Sequence, residues 1–323
     1  MVNNSKAVIT IATGKPIYLQ MAVNLARSFK WWHRDSDIRF VLATDRKDLL
    51  PPDLSDLEVI ELQPGELGSG FSPKLHLDKL APADRTLFID ADCLCVGSLE
   101  SVFDRFAGHA VSVVGATISQ GEWFGDVAAV CKQFSVPALP KFNGGVYYLE
   151  KGELSDLIYA KARELEPQYD KIGLTRLRGR PNDELLMAIA MALHNQTAIP
   201  DDGSIFTDPQ ACPGGLSIDV LRGKSRLINP PAPHPKHQAW YPVTEAYPVL
   251  VHFLGHHTTI YPYTREVFRL ALVENKLPIL VIDVWSTLFC SIPQLSIRIF
   301  KNSLRPLYHQ FFGTRAVSVS DRL

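Results

Sequence analysis

The first hundred residues alternate between short runs of β-branched residues and longer segments whose apolar positions recur at helical spacing. Residues 7–13 (AVITIAT) read as a buried strand that stops at Gly14, Lys15 and Pro16. Residues 18–32 read as a helix, 38–44 (IRFVLAT) as a second strand and 57–62 as a third. Residues 74–80 follow as a helix, and 86–96 (TLFIDADCLCV) as a fourth strand interrupted by two acids. Strands alternating with helices predict an α/β fold. Its central sheet is mostly parallel with helices on both faces, and its ligand lies at the carboxyl ends of the strands.

Further along, residues 110–114 and 145–149 read as strands, and 155–165 and 183–193 as helices. Residues 200–248 are irregular and proline-rich. They still contain apolar and aromatic residues worth burying, which predicts an ordered excursion over the sheet edge. Residues 249–253 return to strand character, and a helix follows Pro262. We divide the chain into a catalytic domain over residues 1–265 and an amphipathic helical tail over 266–323.

A formal net charge of −1 does not suggest a nucleic-acid binder, which would usually carry a clustered basic excess. The five cysteines, Cys93, Cys95, Cys131, Cys212 and Cys290, have no zinc-ligand spacing and read as small buried residues of a reducing compartment. Residues 1–6 are polar, without a secretory pattern, and no uncharged apolar run reaches membrane-spanning length. These features predict a cytoplasmic protein, peripheral to a membrane if its tail binds one.

Asp90-Ala91-Asp92 carries the most chemistry. It ends the apolar run Leu87-Phe88-Ile89, where unpaired charge is costly. Two acids so placed can present oxygens to one hard divalent cation, Mn²⁺ or Mg²⁺, which in turn can bridge a diphosphate. The plain alternative is a strand-to-turn junction with capping aspartates. His252 sits in a short apolar run closed by Gly255 and is either a hydrogen-bonded core histidine or an imidazole ligand. Asn143-Gly144-Gly145 is either an ordinary turn or a close backbone approach to sugar hydroxyls. Asp183-Glu184 opens a helix, so Asn182 or Asp183 is a cap, or Asp183 is a carboxylate at the mouth of the sheet. Lys74 is either solvated or a point charge for a leaving phosphate.

In this order, these segments resemble the glycogenin-like branch of glycosyltransferase family eight. Lys74-Leu75-His76 and Leu87-Phe88-Ile89-Asp90-Ala91-Asp92 are similar to that family's lysine segment and Asp-x-Asp strand. Phe142-Asn143-Gly144-Gly145-Val146, Asp183-Glu184-Leu185-Leu186 and His252-Phe253-Leu254-Gly255 match three further motifs, and the resemblance covers roughly the first 265 residues. It implies a GT-A fold with a Rossmann-like nucleotide-binding half, a UDP-sugar donor, Mn²⁺ and retention of anomeric configuration. It assigns the metal to Asp90, Asp92 and His252, and the nucleotide end to Thr10, Thr13 and Tyr18. Lys74, Ala91, Gly144, Gly255 and His257 fall against the donor, with Asn143 and Asp183 beside the reacting sugar. The acceptor class left open is a glycan, a lipid-linked glycan or a protein. Two departures stand out. The family's Lys-Pro-Trp after His-Phe-x-Gly, whose lysine binds pyrophosphate, is replaced by His256-His257-Thr258, and Glu184 stands where the family has glutamine.

Two rival readings remain. A sugar nucleotidyltransferase would show a glycine-rich basic phosphate loop, for which Thr13-Gly14-Lys15-Pro16 is too short. A catalytically inactive GT-A binding or membrane-surface module fits the missing Lys-Pro-Trp but not the intact acids and His252. In the tail, Trp285, Leu288, Ile292, Leu295 and Ile299 recur at helical spacing. The stripe runs on through Phe300, Leu304, Leu307 and Phe311, beside Lys301, Arg305 and Arg315. Such a stripe packs on the protein's own sheet, on a second subunit as a homodimer, or on a membrane interface. Pro293 and Pro306 should kink or divide it.

Overall fold

The computed structural model describes residues 5–313. The amino-terminal part runs β1 (Lys6–Ala12), α1 (Pro16–Trp32), β2 (Arg39–Thr44), β3 (Glu58–Glu61), α2 (Leu77–Leu80), β4 (Arg85–Ile89), β5 (Cys93–Cys95) and α3 (Glu100–Phe106). There follow β6 (Val111–Ser112), β7 (Val114–Ile118), α4 (Val127–Phe134), β8 (Leu139–Phe142), β9 (Val146–Glu150), α5 (Glu153–Leu165), α6 (Tyr169–Ile172) and α7 (Asp183–Leu193). The central sheet has six strands in the order β3-β2-β1-β4-β9-β6. Its first four are parallel, and β9 runs antiparallel to β4 with Phe88 opposite Tyr147 and Ile89 opposite Val146. Both faces are covered, as the continuous apolar runs require. Ile9 and Phe88 pack with α4, α5 and α7 on one side, and Val8 and Leu87 with α1 and α3 on the other.

The strand expected over residues 86–96 is instead two strands in two sheets. β4 stops at Ile89, the two acids occupy a turn, and β5 joins a separate sheet of order β11-β15-β5. The physical reason is desolvation: two carboxylates two residues apart in a strand buried on both faces would lose hydration without partners. The segment expected as a helix over 74–80 begins as a 3-10 turn, Ser72–His76, before α2. The strand expected over 110–114 also breaks, at Val113, into β6 and β7 of different sheets.

The carboxyl-terminal part holds β10 (Ile199–Pro200), β11 (Phe206–Thr207), β12 (Gly215–Asp219), β13 (Lys224–Ile228), β14 (Glu245–Ala246), β15 (Leu250–His252), α8 (Tyr263–Val273), α9 (Ile279–Ser286) and α10 (Ile292–Phe312). The proline-rich excursion is ordered: β12, β13 and β14 form a three-stranded sheet. Ile218, Val220 and Leu227 share a third core with Phe253 and Tyr263. α8 docks through Tyr263, whose ring meets Phe253 at 5.0 Å and whose hydroxyl accepts from Asn24 Nδ2 at 3.3 Å. Arg269, 2% exposed, bridges Glu266, Asp219 and Asp283, each at 2.8 Å, which ties α9 to the body.

A single π-type turn, Thr287–Ser291, joins α9 to α10. Pro293 falls in the first turn of α10, directly after the π-type turn, and α10 continues through Pro306 instead of dividing there. Ile282, Ser286 and Cys290 face the body, while Trp285, Leu288, Ile292 and Ile299 are exposed by 48%, 53%, 51% and 67%. The apolar stripe therefore does not pack on the protein's own sheet. Although no uncharged run was long enough, Ile279–Phe312 is long and apolar enough to cross a membrane by length and composition, with 11% of its apolar window buried. Arg315 and the side chain of Arg298 lie outside the described part.

Candidate active site

The turn after β4 is built by backbone contacts. Asp90 N donates to Gly145 O at 2.9 Å, Cys93 N donates to Asp90 O at 3.0 Å, and buried Ala91 anchors the middle. β5 then pairs antiparallel with β15, placing His252 opposite Cys93, and Phe253 N donates to Asp92 O at 2.9 Å. The result brings His252 Nε2 to 2.9 Å from Asp92 Oδ1 and 4.0 Å from Asp90 Oδ2. His252 is 2% exposed, and its ring lies 5.4 Å from that of Phe206.

Lys74 reaches this point from the 3-10 turn. Its Nζ donates to Asp90 Oδ2 at 2.7 Å and to Gly144 O at 2.8 Å, and lies over the Phe88 ring. Arg163 of α5 clamps that turn, donating to Leu75 O at 2.6 Å and to Asp78 Oδ1 at 2.7 Å. Lys79 is exposed and stands apart.

Asn143-Gly144-Gly145 links β8 to β9 directly beneath the two acids. A Cβ on Gly145 would lie 2.6 Å from Phe206 Cζ and 2.8 Å from His252 Nδ1, so only glycine fits. Asn143 Oδ1 accepts from Gly145 N at 3.0 Å, and its Nδ2 donates to Asp208 Oδ2 at 3.3 Å. Gly144 N donates to Glu184 Oε1 at 2.8 Å. The cap of α7 is Asn182, whose Oδ1 accepts from Glu184 N at 2.9 Å. That leaves Asp183 without a capping duty. It is 2% exposed, and its Oδ2 accepts from Tyr147 OH at 2.6 Å.

Five carboxylates, of Asp90, Asp92, Asp183, Glu184 and Asp208, thus surround Lys74 and His252. Burial raises Asp90 and Asp183, with Lys74 opposing it in both cases. Burial also works to raise Asp92, but His252 outweighs it and holds that carboxyl below its usual range. Glu184 is pushed up to about 7, by burial first and Asp183 second. Burial opposes charge on Lys74, yet Asp90 and Asp183 raise its pKa, so it stays cationic. Burial thus raises Asp90, Asp183, Glu184 and Asp208 together, around one lysine and one histidine. His252 Nδ1 is buried without a partner among the described residues. On its other side, His252 Nε2 and Asp92 Oδ1, 2.9 Å apart, are a nitrogen and an oxygen suited to Mn²⁺ or Mg²⁺, while Asp90 Oδ2, 4.0 Å from that nitrogen, is paired with Lys74. Cys93 also lies within 4.8 Å of Asp92 and His252 through their ligand atoms.

The other residues singled out in the sequence lie nearby but differ in access. Tyr18, in the first turn of α1, is half-buried; burial raises its pKa, and the charges of Arg178, Asp92 and Arg180 all reach it. Thr13 is half-buried, while Thr10 is enclosed within β1, its Oγ1 without a partner among the described residues. Gly255 has a φ of +55° and open space around it. His257 is half-buried, and burial, with His256 adding to it, pulls its pKa down to about 4. Sequence reasoning missed Tyr147, Asp208 and Phe206. None sits in a motif, and only the pairing of β4 with β9 and β11 with β15 brings them in.

A mostly parallel sheet whose β4 ends in paired acids, faced by a histidine from a second small sheet, is the GT-A fold. The galactosyltransferase LgtC, in complex with donor and acceptor sugar analogues, is similar at 15% identity, with 84% of this chain and 97% of that chain covered and a TM-score of 0.53. An active-site mutant of LgtC is similar over the same shares, at 15% identity and a TM-score of 0.54. No family model and no curated protein matches the chain.

Proposed function

We propose that this chain is a metal-dependent glycosyltransferase that moves a hexose from a UDP-sugar to a glycan, lipid-linked or protein acceptor with retention of configuration. The reading is supported by the pairing of His252 with Asp92 at 2.9 Å, with Asp90 4.0 Å from the same ring nitrogen, beside Gly144 and Asp183 at the carboxyl end of β4. Asp90, Asp92 and His252 would hold Mn²⁺ or Mg²⁺, which would supply positive charge to the diphosphate. Lys74 stays charged and adds a fixed cation where the leaving phosphate gains charge. Gly144 and Gly145 keep the floor of the pocket free of side chains. Asn143, its carbonyl oxygen held by Gly145 N and its amide by Asp208, is oriented to meet sugar hydroxyls. Asp183, its orientation set by Tyr147, stands as the carboxylate at the reacting carbon. In the same-face route the bond from anomeric carbon to phosphate breaks, the acceptor oxygen bonds to that carbon, and its proton passes to the leaving phosphate.

The same reading takes residues 1–265 as the catalytic domain and 266–323 as a carboxyl-terminal segment whose α8 and α9 pack on that domain and whose α10 holds the enzyme at the cytoplasmic face of a membrane. The five free cysteines support a reducing compartment, and the exposed apolar stripe supports the membrane contact. The test is a panel of UDP-, GDP- and ADP-sugars scored by nucleotide release with and without Mn²⁺. Metal-dependent release from one UDP-sugar supports the reading. Binding of UDP with no release from any donor would establish the inactive module instead.

A further inference from the structure

A departing diphosphate needs a fixed cation besides Lys74, which is already engaged by Asp90 and Gly144. The residues after His252-Phe253-Leu254-Gly255 do not provide one. His256 is exposed, and His257, held down at about 4, is neutral at pH 7.

Between α6 and α7 the backbone makes a tight hairpin. Leu177 N donates to Arg180 O at 2.9 Å, and Arg180 N donates back to Leu177 O at 3.0 Å. The two residues at its tip, Arg178 and Gly179, have φ of +54° and +75°, the paired left-handed geometry of such turns. A non-glycine residue held there is strained, and strain of this kind concentrates at functional sites.

The three arginines of this loop have different fates. Arg176 forms a two-point ion pair with Asp170 at 2.8 and 2.7 Å. Arg180 donates to Ser69 Oγ at 2.6 Å, and its stem covers Gly70, where a Cβ would collide with it. Arg178 has neither a hydrogen bond nor an ion pair with any described residue. The backbone that carries it is nevertheless held, by the paired hydrogen bonds of Leu177 and Arg180. The hairpin enters α7 at Asp183 three residues after Arg180, and the loop it is pinned to reaches Lys74 four residues after Gly70. The charges of Arg178 and Arg180, like that of Asp92, reach the hydroxyl of Tyr18 in the first turn of α1.

We propose that the hairpin is a phosphate clamp in which Arg178 binds the diphosphate of the nucleotide donor while Arg180 positions it. The inference rests on the nucleotide-sugar reading above. A guanidinium is suited to the task because its planar fork takes two phosphate oxygens at once and its charge does not titrate.

Isothermal titration of the full chain with UDP and with UMP, each in Mn²⁺, tests it. Arg178→Gln should weaken UDP by about tenfold or more, the loss of one charge-assisted hydrogen-bonded pair, and UMP by about twofold or less. Arg178→Lys should fall between the two. The melting temperature should not move, because the side chain is exposed and makes no contact. A UDP affinity within about twofold of the parent, with the parent itself binding UDP, overturns the clamp and leaves the donor reading intact. A parent chain that does not bind UDP overturns both.

Discussion

Asp92 and His252 are 2.9 Å apart in a pocket that also holds Asp90, so replacing one carboxylate removes charge without changing shape. Asp92→Asn should lower metal-dependent nucleotide release by about 100-fold or more. Stability should fall by no more than about 2 kcal/mol, since the lost pairing with His252 is offset by relief of repulsion with Asp90. Retained Mn²⁺-dependent turnover in this variant would remove Asp92 from the metal site. Glu184 makes a different prediction. Its folded pKa of about 7 lies above the ordinary value of 4.5, so the native state binds the proton more tightly than the unfolded chain. Its contribution to stability is therefore fully present below pH 4.5 and is lost as pH rises through 7. Glu184→Gln keeps the acceptor for Gly144 N and removes the titration. In the metal-free protein the variant should gain on the parent between pH 5 and pH 8, by at most about 3 kcal/mol. Denaturant midpoints at the two pH values measure it, and a difference that does not grow with pH would show that Glu184 titrates normally. At this scale the sequence singled out residues that the fold places near one another: His252 lies 2.9 Å from Asp92 and 4.0 Å from Asp90, and Asp183 lies beside Gly144. Tyr147 and Asp208 were invisible because they act through partners brought together by strand pairing rather than by spacing.

The elements were legible wherever hydrophobic period alone decides. β1, α1, β2 and α7 lie close to where their patterns put them, because each is buried on a face that its own residues define. The break between β4 and β5 was not legible, since apolar residues on both sides of Asp90-Ala91-Asp92 read as one run. Only the competing demand to solvate two carboxylates splits it. The hairpin of β12 and β13 hid in a proline-rich stretch for the opposite reason: its half-buried strands have weak alternation. The joint between the two sheets at the site is Gly145, where β9 begins and where Phe206 and His252 close in. Gly145→Ala must push the histidine ring or the phenyl ring away. The variant should lose about 1–3 kcal/mol of stability to overpacking, and its apparent Mn²⁺ affinity should fall along with turnover. Thermal melts and metal titration would show both. A stable variant with unchanged metal affinity would mean that β11 and β15 yield freely and that the glycine has no part in placing His252.

Taken whole, the molecule is a compact α/β body with one element that does not fit it. α9 is tied down by Asp283, which pairs with Arg269 and Arg222, and by buried Ile282. α10 projects an apolar surface in which Phe300, Leu307, Phe311 and Phe312 are exposed. From Val284 to Ser320 the sequence contains no aspartate or glutamate, and Lys301 and Arg305 lie beside the apolar residues. An apolar face with only cations around it suits an anionic lipid surface, where each basic residue near the headgroups adds about 1 kcal/mol. A second copy of the same face would have to bring its cations against these. Truncation after Ser291 removes α10 while keeping the ion pairs and packing that anchor α9, so the body should stay folded. The full chain should sediment with phosphatidylglycerol vesicles at low salt, less with phosphatidylcholine, and progressively less as salt screens the charges. The truncated chain should stay in the supernatant and keep its nucleotide-release activity toward a soluble acceptor. If the full chain fails to sediment at low salt, or if truncation leaves sedimentation unchanged, the membrane assignment of the tail is wrong. A chain that is dimeric when intact and monomeric when truncated would assign the face to a second subunit.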